Sequence, residues 1–354
     1  MAERITIVGA GVIGAAIAFY LSRAGAKVTV IDAAMPASGA SGRSFGWINA
    51  SFFISPDHYR LRLTAIAAHH QLAEDLGPTG SQWPGAISWE QKGDELEATA
   101  CQLEEMGYPL RRLTGAEVAR LEPALSNPPQ EALLFPNEGA VDLADLTVRL
   151  LEGASRHGAQ LCLGVPVTGL RPGAEVLTAQ GTIKADRVIL AAGTACAGLL
   201  AGIGISLPML PRPALILRTR PVAPVMRHIL VTPDHEIRQD GAGRIILPTS
   251  ANHQQDDSTE ITELPPLVAD AALARLTALF PGNDIAWEQV TLAQRPVPGD
   301  GLPAVGETGV EGLYLAVMHS GATLAALIGQ LVAAEVLGGS PSPILEPYRP
   351  ARFA

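Results

Sequence analysis

Residues 5–32 constrain this chain more than any other stretch. Ile5–Thr6–Ile7–Val8 is a short apolar run suited to a buried strand. It leads straight into Gly9–Ala10–Gly11–Val12–Ile13–Gly14, a G-x-G-x-x-G turn. Ala15, Ala16, Ile17, Ala18, Leu21 and Ala24 then read as a helix with one apolar face, closed by Gly25. Val28–Ile31 is a second strand, and it stops on Asp32, 21 positions after Gly11. This is a dinucleotide-binding unit. Gly9 permits the tight turn, Gly11 admits a pyrophosphate close to the backbone, and Gly14 lets helix and strand pack closely. The helix N-terminus offers unpaired N–H groups to the phosphates. Asp32 can accept hydrogen bonds from ribose hydroxyls and disfavours a 2′-phosphate, which leaves FAD or NAD.

At 354 residues, 47 % hydrophobic and 17 % charged, the chain can bury a large core and hold two domains. A net charge of −10 argues against a nucleic-acid partner. Cys101, Cys162 and Cys196 show no C-x-x-C spacing, so a disulfide scaffold or structural zinc site is not expected; reduced, buried thiols are. No metal site is expected. No signal-peptide pattern precedes the first strand, and stretches such as 322–337 are too short to span a bilayer. A cytoplasmic protein is expected, with peripheral association to the inner membrane left open.

Further along, Gly39, Ser41, Gly42, Arg43, Ser44 and Gly46 make a loop whose small residues let backbone approach a ligand, with Ser and Arg side chains as donors. Helices are expected over 58–76, 93–107 and 143–156, with His69 and His70 as surface or packing residues. Thr114 and Glu117 have the spacing of a capping box. Residues 160–163 and 165–167 read as a broken strand, and 176–185 as a hairpin. A second buried strand, Arg187–Leu190, ends in Ala191–Ala192–Gly193. An NAD domain would more often continue with helix–strand repeats here. Instead, 213–218, 229–231 and 244–247 read as antiparallel strands, followed by a polar, exposed stretch over 250–260 and a helix over 269–280. Residues 312–317 form a last strand, and His319–Ser320–Gly321–Ala322–Thr323 opens a last helix, another N-terminus able to hold anionic atoms.

These pieces resemble the FAD-dependent amino acid oxidase and dehydrogenase family, which includes glycine oxidase, sarcosine oxidase and D-amino acid dehydrogenases. The resemblance rests on Gly9–Gly14 with Asp32, Ser41–Gly46, Gly139–Val141–Asp142, Ile189–Gly193, Arg295–Pro296 with Asp300–Pro303, and Gly312–Tyr314 leading to His319–Gly321. It implies an α/β fold: a Rossmann-type FAD-binding domain in pieces (1–80, 140–205 and 290–354) with an inserted antiparallel-sheet substrate domain (81–139 and 206–289). It implies non-covalent FAD, because no Cys follows Cys196. The cofactor set it implies is the turn residues Gly9, Ala10, Gly11, Val12, Ile13 and Gly14, then Asp32 and Ala33, then Ser41, Arg43, Ser44 and Gly46. Val167, Ala192, Gly193, Ser320, Gly321, Ala322 and Thr323 complete it.

The activity implied is oxidation of the C–N bond of a small amino acid (a D-amino acid, glycine, or an N-substituted or cyclic imino acid), with oxygen or a quinone-linked carrier as electron acceptor. Arg295 matches the arginine that clamps the substrate carboxylate, and His319 stands near flavin or substrate. Several relatives carry a Tyr near 234–238; here His235, Glu236 and Arg238 are the candidates for facing substrate. The alternatives are a non-catalytic flavin-binding subunit and an NAD-dependent dehydrogenase, and a homo- or hetero-oligomer is left open.

Overall fold

The computed structural model describes residues 3–250 and 256–354. The strand–turn–helix–strand unit forms as its sequence dictates: strand Arg4–Val8, helix α1 (Val12–Arg23) and strand Lys27–Asp32, the two strands parallel. Gly14 is where helix meets turn. A Cβ there would stand 2.0 Å from the Gly9 carbonyl oxygen, so only glycine fits. Strand Arg187–Leu190 joins the other edge of Arg4–Val8, also in parallel. Around this pair grows a six-stranded sheet in the order 304–307, 313–317, 187–190, 4–8, 27–32, 160–163; only its first pair is antiparallel.

The remaining helices are α2 (Pro56–Leu76), α3 (Asp94–Glu105), α4 (Gly115–Leu121), α5 (Leu143–Arg156), α6 (Cys196–Ala201), α7 (Pro265–Leu279) and α8 (Gly321–Val336). Local chemistry starts several of them. Thr114 and Glu117 make the reciprocal capping box of α4. Asp142 accepts from the N–H groups of Ala144 and Asp145 to cap α5. Helix α7 begins four residues earlier than expected, because Pro265 and Pro266 suit the first helical turn, where no N–H partner is needed.

A second, eight-stranded sheet runs in the order 287–294, 213–219, 245–248, 236–239, 229–231, 86–88, 131–135, 111–114. It departs from the expected all-antiparallel pattern at one pair: Ile229–Val231 lies parallel to Ala86–Ser88. The partner comes from a remote segment that enters the sheet in the same direction, which no hairpin could arrange. The expected broken strand divides at Gly164: 160–163 edges the six-stranded sheet, while 167–171 joins the hairpin 175–184. Of the polar stretch 250–260, residues 251–255 lie outside the described residues, and Asp257–Glu260 are exposed. The cysteines differ from expectation: Cys196 is buried and Cys162 half-buried, but Cys101 is exposed on α3, beside Glu97 and Arg112. Among the described residues, no helix is long and apolar enough to cross a membrane.

Helices α1, α5 and α8 cover the six-stranded sheet, and small residues set the spacing where α1 meets α8. A Cβ on Gly329 would lie 2.9 Å from the carbonyl carbon, the carbonyl oxygen and the Cβ of Ala16. Gly329→Val should therefore lower stability by about 1–3 kcal/mol through overpacking. A thermal melt of the variant checks this, and an unchanged midpoint would mean the two helices spread apart without cost.

Candidate functional site

A cleft of ≈ 350 Å³ opens where the parallel strands end at their carboxyl termini, the place where open α/β sheets bind ligands. Its floor takes Val8, Gly9 and Ile31–Asp32 from the first two strands, Ala191–Gly193 from the third and Val317–His319 from the fourth. The N-termini of α1 and α8 both reach it, through Gly11–Ile13 and Ser320–Thr323. The eight-stranded sheet closes the opposite side with Ala214, Ile216, Ala293, Gln294 and Arg295. The loop after Asp32 supplies Ala33, Ser41, Arg43, Ser44 and Gly46, and Val167 completes the wall.

The structure thus gathers in one cleft nearly every residue singled out in the sequence. Ala10 and Gly14 stand outside its wall. The Ala10 N–H donates to Asp32 Oδ2 at 2.7 Å, and Gly14 packs beneath the turn. Asp32 Oδ1 accepts from the Ala34 N–H at 2.8 Å, so one carboxylate ties the glycine turn to the loop that follows it. Ser41 Oγ accepts from the Val12 N–H at 3.0 Å, and Arg43 donates to the carbonyls of Ser38 and Gly39.

Arg295 is 7 % exposed. Its Nε donates to the Arg212 carbonyl at 3.1 Å and its Nη2 to the Asp256 carbonyl at 3.0 Å, with the Asp256 carboxylate 3.9 Å away. Burial pulls its pKa down, and Asp256 opposes that shift. His319 stands in the wall, its Nδ1 3.5 Å from Ser320 Oγ.

The three candidates from strand Glu236–Gln239 and its turn do not line the cleft. Arg238 is buried and donates to the carbonyls of Phe45 and Val141, where it braces the cleft loop from behind. His235 is buried near the positive charge of Arg275; burial first, and that charge second, push its pKa down to about 4. Glu236 is buried and close enough to Arg295 to act on its charge.

The sequence reading missed Trp47, Asn49 and Arg62, which line the cleft beside α8. Arg62 does carry a signal. His58, Arg62, Ala65, His69 and Leu72 fall at helical spacing on one buried stripe of α2, so a charge sits on an apolar face. On that stripe His69 behaves as a packing residue. Its Nε2 meets the carbonyls of Ala322 and Thr323 at 2.8 and 3.0 Å, which requires the Nε2–H tautomer. Its Nδ1 is buried without a hydrogen-bond partner. His70 stacks on Trp83.

A family model described as FAD dependent oxidoreductase (DAO) matches residues 4–335. Glycine oxidase of Geobacillus kaustophilus is 30 % identical over 352 aligned residues, covering 93 % of this chain and 91 % of that protein. The crystal structure of a glycine oxidase from the same organism superposes with a TM-score of 0.90 at 28 % identity, covering all of both chains. That of iminodiacetate oxidase from Chelativorans sp. BNC1 gives 0.85 at 26 % identity, over 98 % of this chain and 99 % of that one.

The buried histidines make a pH prediction. Burial, more than the charge of Arg62, lowers the His58 pKa to about 3, and burial lowers that of His69 to about 4. The unfolded chain binds these protons near pH 6.5. Their stability contribution is therefore complete above pH 6.5 and is lost as pH falls toward 4. Thermal melts should show the midpoint falling between pH 7 and pH 5. His69→Gln, which keeps a donor for the α8 carbonyls, should give a shallower slope; an unchanged slope would show that His69 does not titrate in this window.

Proposed function

As this chain belongs to the DAO family of FAD-dependent oxidoreductases, we propose that it oxidises the C–N bond of a small amino acid: a D-amino acid, glycine, or an N-substituted or cyclic imino acid. The observation that carries this reading is Arg295, a buried cation in the wall of the cleft on the side built by the eight-stranded sheet. A guanidinium there, held in place by the Arg212 and Asp256 carbonyls, is a fixed cation with which a carboxylate can pair. Glycine and iminodiacetate, after which the relatives are called, both carry an amine nitrogen on the carbon beside a carboxylate.

The residues of the cleft fit FAD. Gly11 borders it where a Cβ would stand 3.2 Å from Ser41 Oγ, within the space a pyrophosphate needs. Asp32 lies in the wall at the end of the second strand, where its carboxylate would accept from the adenosine ribose as well as from the Ala10 and Ala34 N–H groups. No cysteine lines the cleft among the described residues, which supports non-covalent binding. In this reading residues 1–80, 140–205 and 290–354 form the flavin domain, and 81–139 with 206–289 the substrate domain.

Bound here, FAD would supply the two-electron acceptor for oxidation of the substrate's C–N bond. The protein's part is orientation and charge. Arg295 holds the carboxylate and so fixes the Cα–H, His319 contacts the reacting pair, and the N-terminal turn of α8 (Ser320–Thr323) favours negative charge gathering beside it. The apolar walls at Ala214, Ile216 and Ala293 keep water from the reacting carbon. The substrate would react in its neutral-amine form, its ammonium proton having gone to water, and the imine released would hydrolyse to an oxo acid and an amine or ammonia.

Two measurements test this. Acid or heat should release FAD from the denatured polypeptide; flavin that stays attached would point to a bond through His319. Arg295→Lys keeps the charge without the fork and Arg295→Ala loses both, so kcat/KM should fall, Ala below Lys, with flavin content unchanged. Assays should compare an amino acid with its decarboxylated amine. The wild type should strongly prefer the acid, and Arg295→Ala should lose most of that preference. Equal use of the amine by the wild type would make this a general amine oxidase.

A further inference from the structure

Arg62 lies in the middle of α2 and is 1 % exposed. Its Nε donates to the Asn49 carbonyl at 3.0 Å, its Nη2 to Asn49 Oδ1 at 2.5 Å, and its Nη1 to Ser320 Oγ at 2.8 Å. All three acceptors are neutral. Among the described residues no carboxylate comes within 4.0 Å of it. The acid that acts on it from farther off is Glu138, whose own oxygens accept from Trp47 Nε1, the Tyr108 hydroxyl and the N–H groups of Ala50 and Ser51. Burial lowers the Arg62 pKa to about 10, so the group stays charged at neutral pH. Hence the protein keeps a full positive charge in a desolvated place and gives it no adjacent anion.

That place borders the cleft. Arg62 lines it together with Asn49, Ser320 and Thr323. Its partner Ser320 starts α8 in a left-handed conformation, φ +62°, which a non-glycine residue holds only when something fixes it. The guanidinium thus sits beside the positive end of the α8 dipole, and the two fields add.

We propose that Arg62 is a charge-tuning residue for the flavin: its cation, held by Asn49 and Ser320 with no carboxylate within 4.0 Å among the described residues, stabilises the negative charge that the flavin gains on two-electron reduction and so raises its midpoint potential. In a wall from which water is excluded, such a charge acts more strongly than it would in solvent. The inference rests on the cleft holding the flavin and is independent of the substrate.

The test uses FAD-loaded protein, equilibrated anaerobically with reference dyes and without any amine. Arg62→Gln should reduce the equilibrium constant for flavin reduction at least tenfold, a midpoint about 30 mV more negative for a two-electron couple. Arg62→Lys, which keeps the charge, should stay near the wild type. Asn49→Asp, nearly isosteric, sets a carboxylate against the guanidinium and should shift the midpoint in the same direction as Arg62→Gln. If Arg62→Gln does not retain FAD, Arg62→Met takes its place, since it keeps much of the volume without the charge; Asn49→Asp, whose own carboxylate faces the cleft, supports but does not decide. Melting temperature would move under a purely structural role as well, but the potential would not. An unchanged potential in these variants reduces Arg62 to a brace for α8. A wild-type protein that takes up no FAD overturns the cleft assignment and this inference with it.

Discussion

The cleft depends on how closely the first turn approaches the third strand of its sheet. Gly9 has φ +116°, and a Cβ there would stand 2.4 Å from the Ala191 carbonyl oxygen. Strands Arg4–Val8 and Arg187–Leu190 can therefore end side by side with no side chain between them. Their carboxyl ends, with those of Lys27–Asp32 and Leu313–Val317, form one continuous floor. A larger residue at Gly9 would push the turn off that floor, and Asp32 would lose its hold on the Ala10 N–H.

The wall between floor and upper sheet, residues 45–51, has almost no regular structure of its own, and buried side chains shape it instead. Arg238 takes the Phe45 carbonyl, Glu138 takes the Trp47 indole and the N–H groups of Ala50 and Ser51, and Thr323 Oγ1 accepts from the Asn49 N–H. A short pairing of Trp47–Ile48 with Gly139–Ala140 adds to them. Each buried group has a partner of opposite character, and such networks fix one arrangement because a half-satisfied alternative is costly. Side-chain hydrogen bonds thus hold this wall more than its one two-residue strand does.

How much of this is legible in the sequence follows from the range of the interactions. The Gly9–Asp32 unit, the Thr114–Glu117 box and the Asp142 cap are local, and residues a few positions apart announce them. The pairing of 229–231 with 86–88 is not, because nothing in either strand names its distant neighbour. Strand Glu236–Gln239 has one apolar residue, Ile237, among polar ones, so its own sequence does not say which face meets the cleft; Arg238 donates to carbonyls of the cleft loop instead. Arg62, in Arg60–Leu61–Arg62–Leu63, looks like one of two surface charges until the whole buried stripe of α2 is traced. Asp256, from a polar stretch expected to be exposed, is half-buried against Arg295 because a buried guanidinium draws an acid to it.

The walls of the cleft come from residues 8–62, from Leu143 and Val167, and from residues 191–216 and 293–323, so its floor stays open until α8 has packed on α1. A chain still on the ribosome, with α8 inside the exit tunnel, lacks Val317–Thr323 and the partner of Arg62. Capture of the prosthetic group in this way waits until α8 has left the exit tunnel and packed on α1.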